Sequence, residues 1–96
     1  MELRWSTRAV RDLQHIRLYI SEHDPNAAQK VAKSIKHTVQ LLLEYPQLGV
    51  QTRVEGVYEK QVPNLPFLIP YRLRDETIEI LAVFDTRQIK PEGWGV

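Results

Sequence analysis

The second half of the chain holds two apolar stretches separated by a short polar pair, Asp75 and Glu76. The stretch from Phe67 to Arg74 precedes the pair and the stretch from Thr77 to Phe84 follows it, and both are rich in Ile, Leu, Phe or Tyr. Two such runs around a short polar turn predict an antiparallel hairpin.

If the polar pair is the whole loop, side chains of the two predicted strands face each other in a fixed register. One face then carries the pairs Phe67/Phe84, Ile69/Ala82, Tyr71/Ile80 and Leu73/Ile78. The other face, which is mixed in polarity, carries Leu68/Val83, Pro70/Leu81 and Arg72/Glu79 and continues toward Arg87. Since proline donates no hydrogen bond to a sheet, we predict a bulge at Pro70, and we expect function on the mixed face.

The first half of the chain has helical periodicity after a short strand candidate, Glu2 to Trp5. Ser6 is a favoured N-cap, and a helix is predicted from Thr7 to about Glu22. Asp24 and Pro25 suit the cap and first position of a second helix, which should run from Pro25 to about Glu44.

A further strand is predicted from Val57 to Val62, so the element order is strand, helix, helix, then three strands. This order predicts a compact α+β fold with a helical hairpin packed on a mainly antiparallel sheet. We expect one domain, residues 1–96, with residues 88–96 as a C-terminal tail. The predicted core consists of Leu13, Ile16, Ile20, Val31, Ile35, Ile69, Tyr71, Ile78 and Ile80.

Composition narrows the possible functions. The net charge of +1 gives no overall field for nucleic acid, and the absence of cysteine removes thiolate ligands and thiol nucleophiles. The three histidines fall on the predicted helices or at a helix end, without other ligands at suitable spacing, and no glycine-rich phosphate loop is present. We therefore expect no metal and no cofactor. No signal segment or membrane span is evident, so we expect a cytoplasmic protein.

Metal-free RNA cleavage needs a base, cations near the phosphate and an acid for the leaving oxygen. The candidate cations near the mixed face are Lys60, Arg72, Arg74 and Arg87, of which Arg87 is the strongest, and Tyr58 is the candidate acid. Each has a simpler interpretation, because Lys60 suits a strand surface and Asp85 is placed to pair with Arg87. Arg72 is expected to form a cross-strand ion pair with Glu79.

Taken together, these landmarks resemble the ParE/RelE superfamily, the toxins of type II toxin-antitoxin pairs. The resemblance covers nearly the whole chain and rests on an ordered set of short motifs. They are Trp5-Ser6 with Ala9, Asp12-Leu13, Ile16 and Tyr19-Ile20; Pro25 to Ala28; Ile35; Tyr45-Pro46 to Gly49; Phe67 to Arg72; and Ile78 to Gln88. The long paired helices are closer to the ParE branch.

The resemblance implies a toxin that is held inactive by a cognate antitoxin whose C-terminal segment wraps over it. ParE-like members are similar to inhibitors of DNA gyrase, and this is the function we expect. Leu68 stands where RelE-like nucleases tend to have arginine, Asp85 where many relatives have histidine, and Trp94 or its neighbours where a terminal aromatic acid would lie. A ribosome-dependent mRNA endonuclease and a degenerate toxin that only binds antitoxin remain as alternatives. The expected partner-binding residues are Leu68, Arg72, Leu81, Val83, Arg87 and Trp94.

Overall fold

Both helices begin directly after the residues that were predicted to cap them. In the computed structural model, which describes residues 1–96, helix α1 runs over Thr7–Ser21 and helix α2 over Pro25–Glu44. The Ser6 Oγ accepts a hydrogen bond from the Ala9 N–H at 3.0 Å, and the Asp24 Oδ1 accepts one from the Ala27 N–H at 3.1 Å. The caps satisfy amide groups that have no partner inside the helix, which fixes where each helix starts.

Six strands form one mixed sheet, and the two helices cover one of its faces. The strand order is β1-β5-β4-β3-β2, and β6 pairs with the first part of β4. Strand β1 is parallel to β5 and every other pair is antiparallel. The strands are β1 Glu2–Trp5, β2 Val50–Gln51, β3 Val57–Gln61, β4 Phe67–Arg74, β5 Thr77–Ile80 and β6 Phe84–Asp85. The predicted α+β class is therefore confirmed.

The hairpin of β4 and β5 has the predicted register near its turn. Tyr71 faces Ile80, and Arg72 faces Glu79. Asp75 and Glu76 have φ angles of 50° and 61°. Positive φ at both central residues is the property of a type I′ turn, whose twist matches that of the strands it joins.

The predicted register is wrong beyond Ile80. Leu68 faces Phe84, whereas the prediction paired Phe84 with Phe67 and Leu68 with Val83. Three residues separate Ile80 from Phe84, whereas two separate their partners Tyr71 and Leu68 in β4. The bulge therefore lies in the segment between β5 and β6, opposite Pro70, and not at Pro70 in β4 as predicted. A bulge of one residue turns every following side chain to the other face of the sheet.

The helix side of the sheet holds the main core. Of the predicted core residues, five are fully buried: Ile35, Ile69, Tyr71, Ile78 and Ile80. The other four, Leu13, Ile16, Ile20 and Val31, were predicted to be buried and are only half-buried. They lie along two grooves beside α1, because α1 touches the sheet with only part of its apolar face.

The segment after α2 was predicted as a loop but contains the short strand β2. Its position is fixed by the Tyr71 hydroxyl, which donates to the Pro46 carbonyl at 2.8 Å and accepts from the Gly49 N–H at 2.9 Å. A Cβ at Gly49 would lie 2.7 Å from that hydroxyl oxygen, so only glycine allows this approach. No helix of the chain combines the length and the apolar composition that crossing a bilayer requires.

Candidate functional site

The sheet face turned away from the helices, here called the outer face, has an ion pair at its centre. The Arg72 guanidinium donates to the Glu79 carboxylate at 2.7 Å across β4 and β5, as predicted. Both side chains are about one quarter exposed. This arginine is therefore already neutralised by a carboxylate on the same surface.

Arg87, the strongest candidate cation, is held by Asp85 two residues earlier. Its Nη2 and Nε atoms donate to the two carboxylate oxygens at 2.6 and 2.9 Å, and its backbone N–H donates to Oδ1 at 2.9 Å. These hydrogen bonds hold the pKa of the Asp85 carboxyl below its usual range. At neutral pH the carboxylate is ionised, so the guanidinium faces a negative group.

The other two candidates for RNA cleavage lie on the helix side of the sheet. Tyr58 is buried and stacks on Tyr71 with ring centroids 5.5 Å apart. Lys60 faces the buried Ile69 in the neighbouring strand and is half-buried at the edge of the core. The structure therefore does not bring Lys60 and Tyr58 together with Arg72 on the outer face. The mixed face was predicted to continue toward Arg87, and this is wrong, because the bulge turns Asp85 to the helix side opposite Phe67 and Arg87 lies beside helix α1.

The C-terminal tail folds back over the outer face. The Trp94 indole N–H donates to Glu59 Oε2 at 2.7 Å, and the Lys90 ammonium donates to Glu59 Oε1 at 2.7 Å. The Trp94 ring contacts Phe84 edge-on at 5.2 Å and is only 5% exposed. It covers an outer cluster that also contains Val57, Leu81, Ala82 and Phe84. In this conformation Trp94 and Leu81 are available to a partner only after the tail moves.

Beside α1 lies a concave surface, a groove of about 960 Å³ between this helix, the start of β4 and the tail. We call it the α1 groove. Its apolar lining includes Ile16, Ile20, Val31, Phe67 and Val83. Charged groups stand along it, namely Arg8, Asp12, Asp85 and Arg87. Of the partner-binding residues expected from the sequence, Val83 and Arg87 line this groove, and Leu68, Arg72, Leu81 and Trp94 do not.

One aromatic side chain on α1 extends the apolar surface of the groove into solvent. Tyr19 lines the groove and is 67% exposed, while its neighbour Leu18 is 63% exposed and lies outside the lining. Ile89, on the opposite rim, is 96% exposed. Large apolar side chains at the mouth of an apolar groove indicate a surface that another protein covers.

Asp12 shapes the groove, and the sequence reasoning missed this role. Its Oδ2 accepts a hydrogen bond from the Val83 N–H at 3.0 Å, in the bulge where the sheet ladder is interrupted. The Ser6 Oγ donates to the nearby Leu81 carbonyl at 2.9 Å. Asp12 is the only acidic residue in α1, and this was the feature of the sequence that could have indicated its role.

No group of three or more His, Cys, Asp or Glu side chains is placed to hold a metal ion. The candidate site consists of the apolar groove, the ion pairs of Arg72 and Arg87, and the folded tail.

Comparison with known proteins identifies relatives that align with most of the chain. Residues 3–90 match the family model described as the ParE toxin of the type II toxin-antitoxin system parDE. Y4kP of Sinorhizobium fredii, a protein named as a toxin, is 38% identical over 90 residues, which are 94% of this chain and 93% of that protein. Toxin RelE2 of Caulobacter vibrioides is 33% identical over 79 residues, with 82% of this chain and 88% of that protein covered.

Solved structures share the fold. A chain of the chromosomal ParDE system from P. aeruginosa superposes with a TM-score of 0.77 at 28% identity, covering 88% of this chain and 95% of the other. The YoeB dimer from Staphylococcus aureus matches in fold with a TM-score of 0.61 at 17% identity, covering 86% and 93%. With the strand order, the helical hairpin and the family match in agreement, this chain belongs to the ParE toxin family of type II toxin-antitoxin systems.

Proposed function

We propose that this protein is a toxin that inhibits DNA gyrase by binding it, and that a cognate antitoxin neutralises it in the cytoplasm. The observation that carries the proposal is that two of the candidate cations, Arg72 and Arg87, are already paired with carboxylates. Arg87 is held by Asp85 at 2.6 Å and Arg72 by Glu79 at 2.7 Å. Stabilising a phosphorane requires cations that are aimed at the developing charge and not already paired with carboxylates.

The tail supports the same proposal. It covers the outer face with Trp94, whose indole is bound to Glu59 at 2.7 Å. An RNA strand that approached Arg72 on this face would also meet the carboxylates of Glu59 and Glu79. A gyrase inhibitor needs only a complementary surface, with no reacting group.

For the antitoxin, the proposed docking surface is the α1 groove. A segment with apolar side chains at helical or extended spacing would cover the half-buried Ile16, Ile20 and Val31. Covering them removes apolar surface from water, which is the main driving force for association. The bound segment would also stabilise the folded toxin by mass action.

Two assays with purified proteins test whether the toxin acts on DNA gyrase or on mRNA at the ribosome. The first measures DNA supercoiling by gyrase together with trapped cleavage complexes, and the second measures mRNA cleavage on translating ribosomes. We expect inhibition in the first assay and no cleavage in the second, with Lys60→Ala as active as the wild type. Ribosome-dependent cleavage that falls on the order of 100-fold in Lys60→Ala or Arg87→Ala would refute the proposal. Loss of both activities, with antitoxin binding intact, would indicate a degenerate toxin.

The docking surface is tested with neighbouring residues of one helix. Tyr19→Glu places a charge in the α1 groove, whereas Leu18→Glu places it on the same helix outside the groove, at nearly equal exposure of 67% and 63%. The product of the adjacent small reading frame serves as the antitoxin. We expect Tyr19→Glu to weaken its binding and Leu18→Glu to leave binding unchanged. Equal effects of the two variants, or an unaltered melting temperature with saturating antitoxin, would contradict this assignment.

A further inference from the structure

Strand β1 leaves one edge of the sheet without a partner. It is the outermost strand and pairs only with β5. The backbone N–H groups of Glu2 and Ser6 donate toward the sheet, to the carbonyls of Glu76 and Ile80, each at 3.0 Å. Because backbone groups alternate in direction along a strand, those of Leu3 and Trp5 face away from the sheet. An open edge of this kind is a template for another strand.

The side chains of β1 are divided between the two faces of the sheet. Leu3 and Trp5 pack against the main core on the helix side. Glu2 and Arg4 therefore lie on the outer face and carry opposite charges. Charged residues on an edge usually prevent association, but alternating signs can also match their own copy in the antiparallel direction.

We infer that β1 is a self-association edge, at which two copies of this chain pair antiparallel about a two-fold axis through Leu3. In this register Leu3 faces Leu3 of the partner subunit, and their outward backbone groups exchange two hydrogen bonds. Glu2 faces the partner's Arg4, and Arg4 faces the partner's Glu2. The contact is isologous, with each attractive pair present twice.

Charge disfavours the neighbouring registers. The backbone groups that point away from the sheet belong to every second residue of β1. The two strands can therefore form hydrogen bonds again only after one strand slides by two residues. One such shift places Glu2 opposite the partner's Glu2, and the other places Arg4 opposite the partner's Arg4. Like charges directly opposite each other are destabilising. The sequence of this edge therefore favours the register in which Leu3 faces Leu3 of the partner subunit.

A second groove beside β1 gives the partner apolar surface to cover. It has a volume of about 480 Å³ and lies between β1, α1 and α2. Leu3, Trp5 and Val10 belong to its lining, and Val10 is 42% exposed. In the proposed register the partner's Met1 faces Trp5 on this side of the sheet. Met1 is 59% exposed in the single chain, and pairing would bring it toward this groove.

The α1 groove is not part of this edge, since neither Leu3 nor Trp5 lines it. The inference therefore does not depend on the proposed toxin target, and a dimer would leave both α1 grooves open. The strand is short, so the interface belongs to the small, weak class. A dimer is expected to dissociate on dilution.

The experiment measures self-association of the untagged full chain by sedimentation equilibrium over a wide concentration range. The wild type should show a reversible monomer–dimer equilibrium. Glu2→Arg and Arg4→Glu should each weaken it by roughly tenfold or more, because two attractive pairs become repulsive. The double variant Glu2→Arg/Arg4→Glu should associate like the wild type.

Mixing the two single variants is the decisive measurement. In a mixed dimer both cross-strand pairs become attractive again, so the mixture should associate more strongly than either variant alone. A monomeric wild type at every concentration, or a mixture no stronger than its components, would overturn the inference. If Arg4→Glu fails to fold, as judged by circular dichroism, Glu2→Gln replaces it. Association should then decrease from wild type to Glu2→Gln to Glu2→Arg, and equal association of the three would refute the register.

Discussion

Removing the Tyr71 hydroxyl should destabilise the fold while leaving its packing intact. Tyr71 is fully buried, and its hydroxyl joins β4 to the segment that follows α2. In Tyr71→Phe, the Pro46 carbonyl and the Gly49 N–H lose their partner at 2.8 and 2.9 Å. The aromatic ring, which stacks on Tyr58, keeps its volume.

Each of the two hydrogen bonds contributes about 1 kcal/mol, so we expect the free energy of unfolding to fall by about 2 kcal/mol. The loss is larger if no water molecule replaces the hydroxyl at the two backbone groups. For a domain of this size, such a loss lowers the melting temperature by about 10 °C. Urea unfolding followed by circular dichroism gives the free energy directly, with an unchanged dependence on urea concentration if the two states keep their compactness.

Tyr58→Phe is the matched control, since it removes a hydroxyl from the other ring of the same stack. No hydrogen bond joins that hydroxyl to the protein, so we expect a change within about 0.5 kcal/mol. Equal stability of Tyr71→Phe and the wild type, or equal losses in the two variants, would refute the role assigned to the Tyr71 hydroxyl.

Alkaline pH tests the same hydroxyl independently. Burial raises the pKa of Tyr71 above its ordinary value. The unfolded chain therefore releases this proton first, and stability that is present below pH about 10 declines as the pH rises further. We expect Tyr71→Phe to lose less stability above that pH than the wild type does.

Three further measurements test other parts of the structure. Asp12→Ala should cost about 1 to 3 kcal/mol in urea unfolding, because the Val83 N–H in the bulge loses its acceptor. Ile80→Ala, at a fully buried position, should cost about 2 to 5 kcal/mol in the same assay. Hydrogen bonds from Arg87 lower the pKa of Asp85. The ionised Asp85 carboxylate therefore stabilises the fold above pH about 4, and this stabilisation is lost as the pH falls. As the pH is lowered, the free energy of unfolding of Asp85→Asn should therefore fall less steeply than that of the wild type.

The local sequence determined the elements whose signals lie within a few residues of one another. Ser6 and Asp24 cap the helices because a side chain can reach the amide three residues later. The turn at Asp75 and Glu76 set the register of Tyr71 with Ile80, since a two-residue loop fixes which residues face each other. The resemblance to ParE-like toxins likewise rests on short motifs and on their order along the chain, both of which are properties of the sequence alone.

Only the tertiary structure decided how distant segments meet. The bulge after Ile80 is held by Ser6 and Asp12, which lie 75 and 71 residues before their hydrogen-bond partners Leu81 and Val83. The mixed face was expected to carry function, and the structure shows Trp94 covering part of it through a contact with Glu59, 35 residues earlier. The α1 groove exists because α1 packs on the sheet with only part of its apolar stripe. Periodicity shows which side of a helix is apolar, whereas the packing of distant elements decides how much of that side is covered.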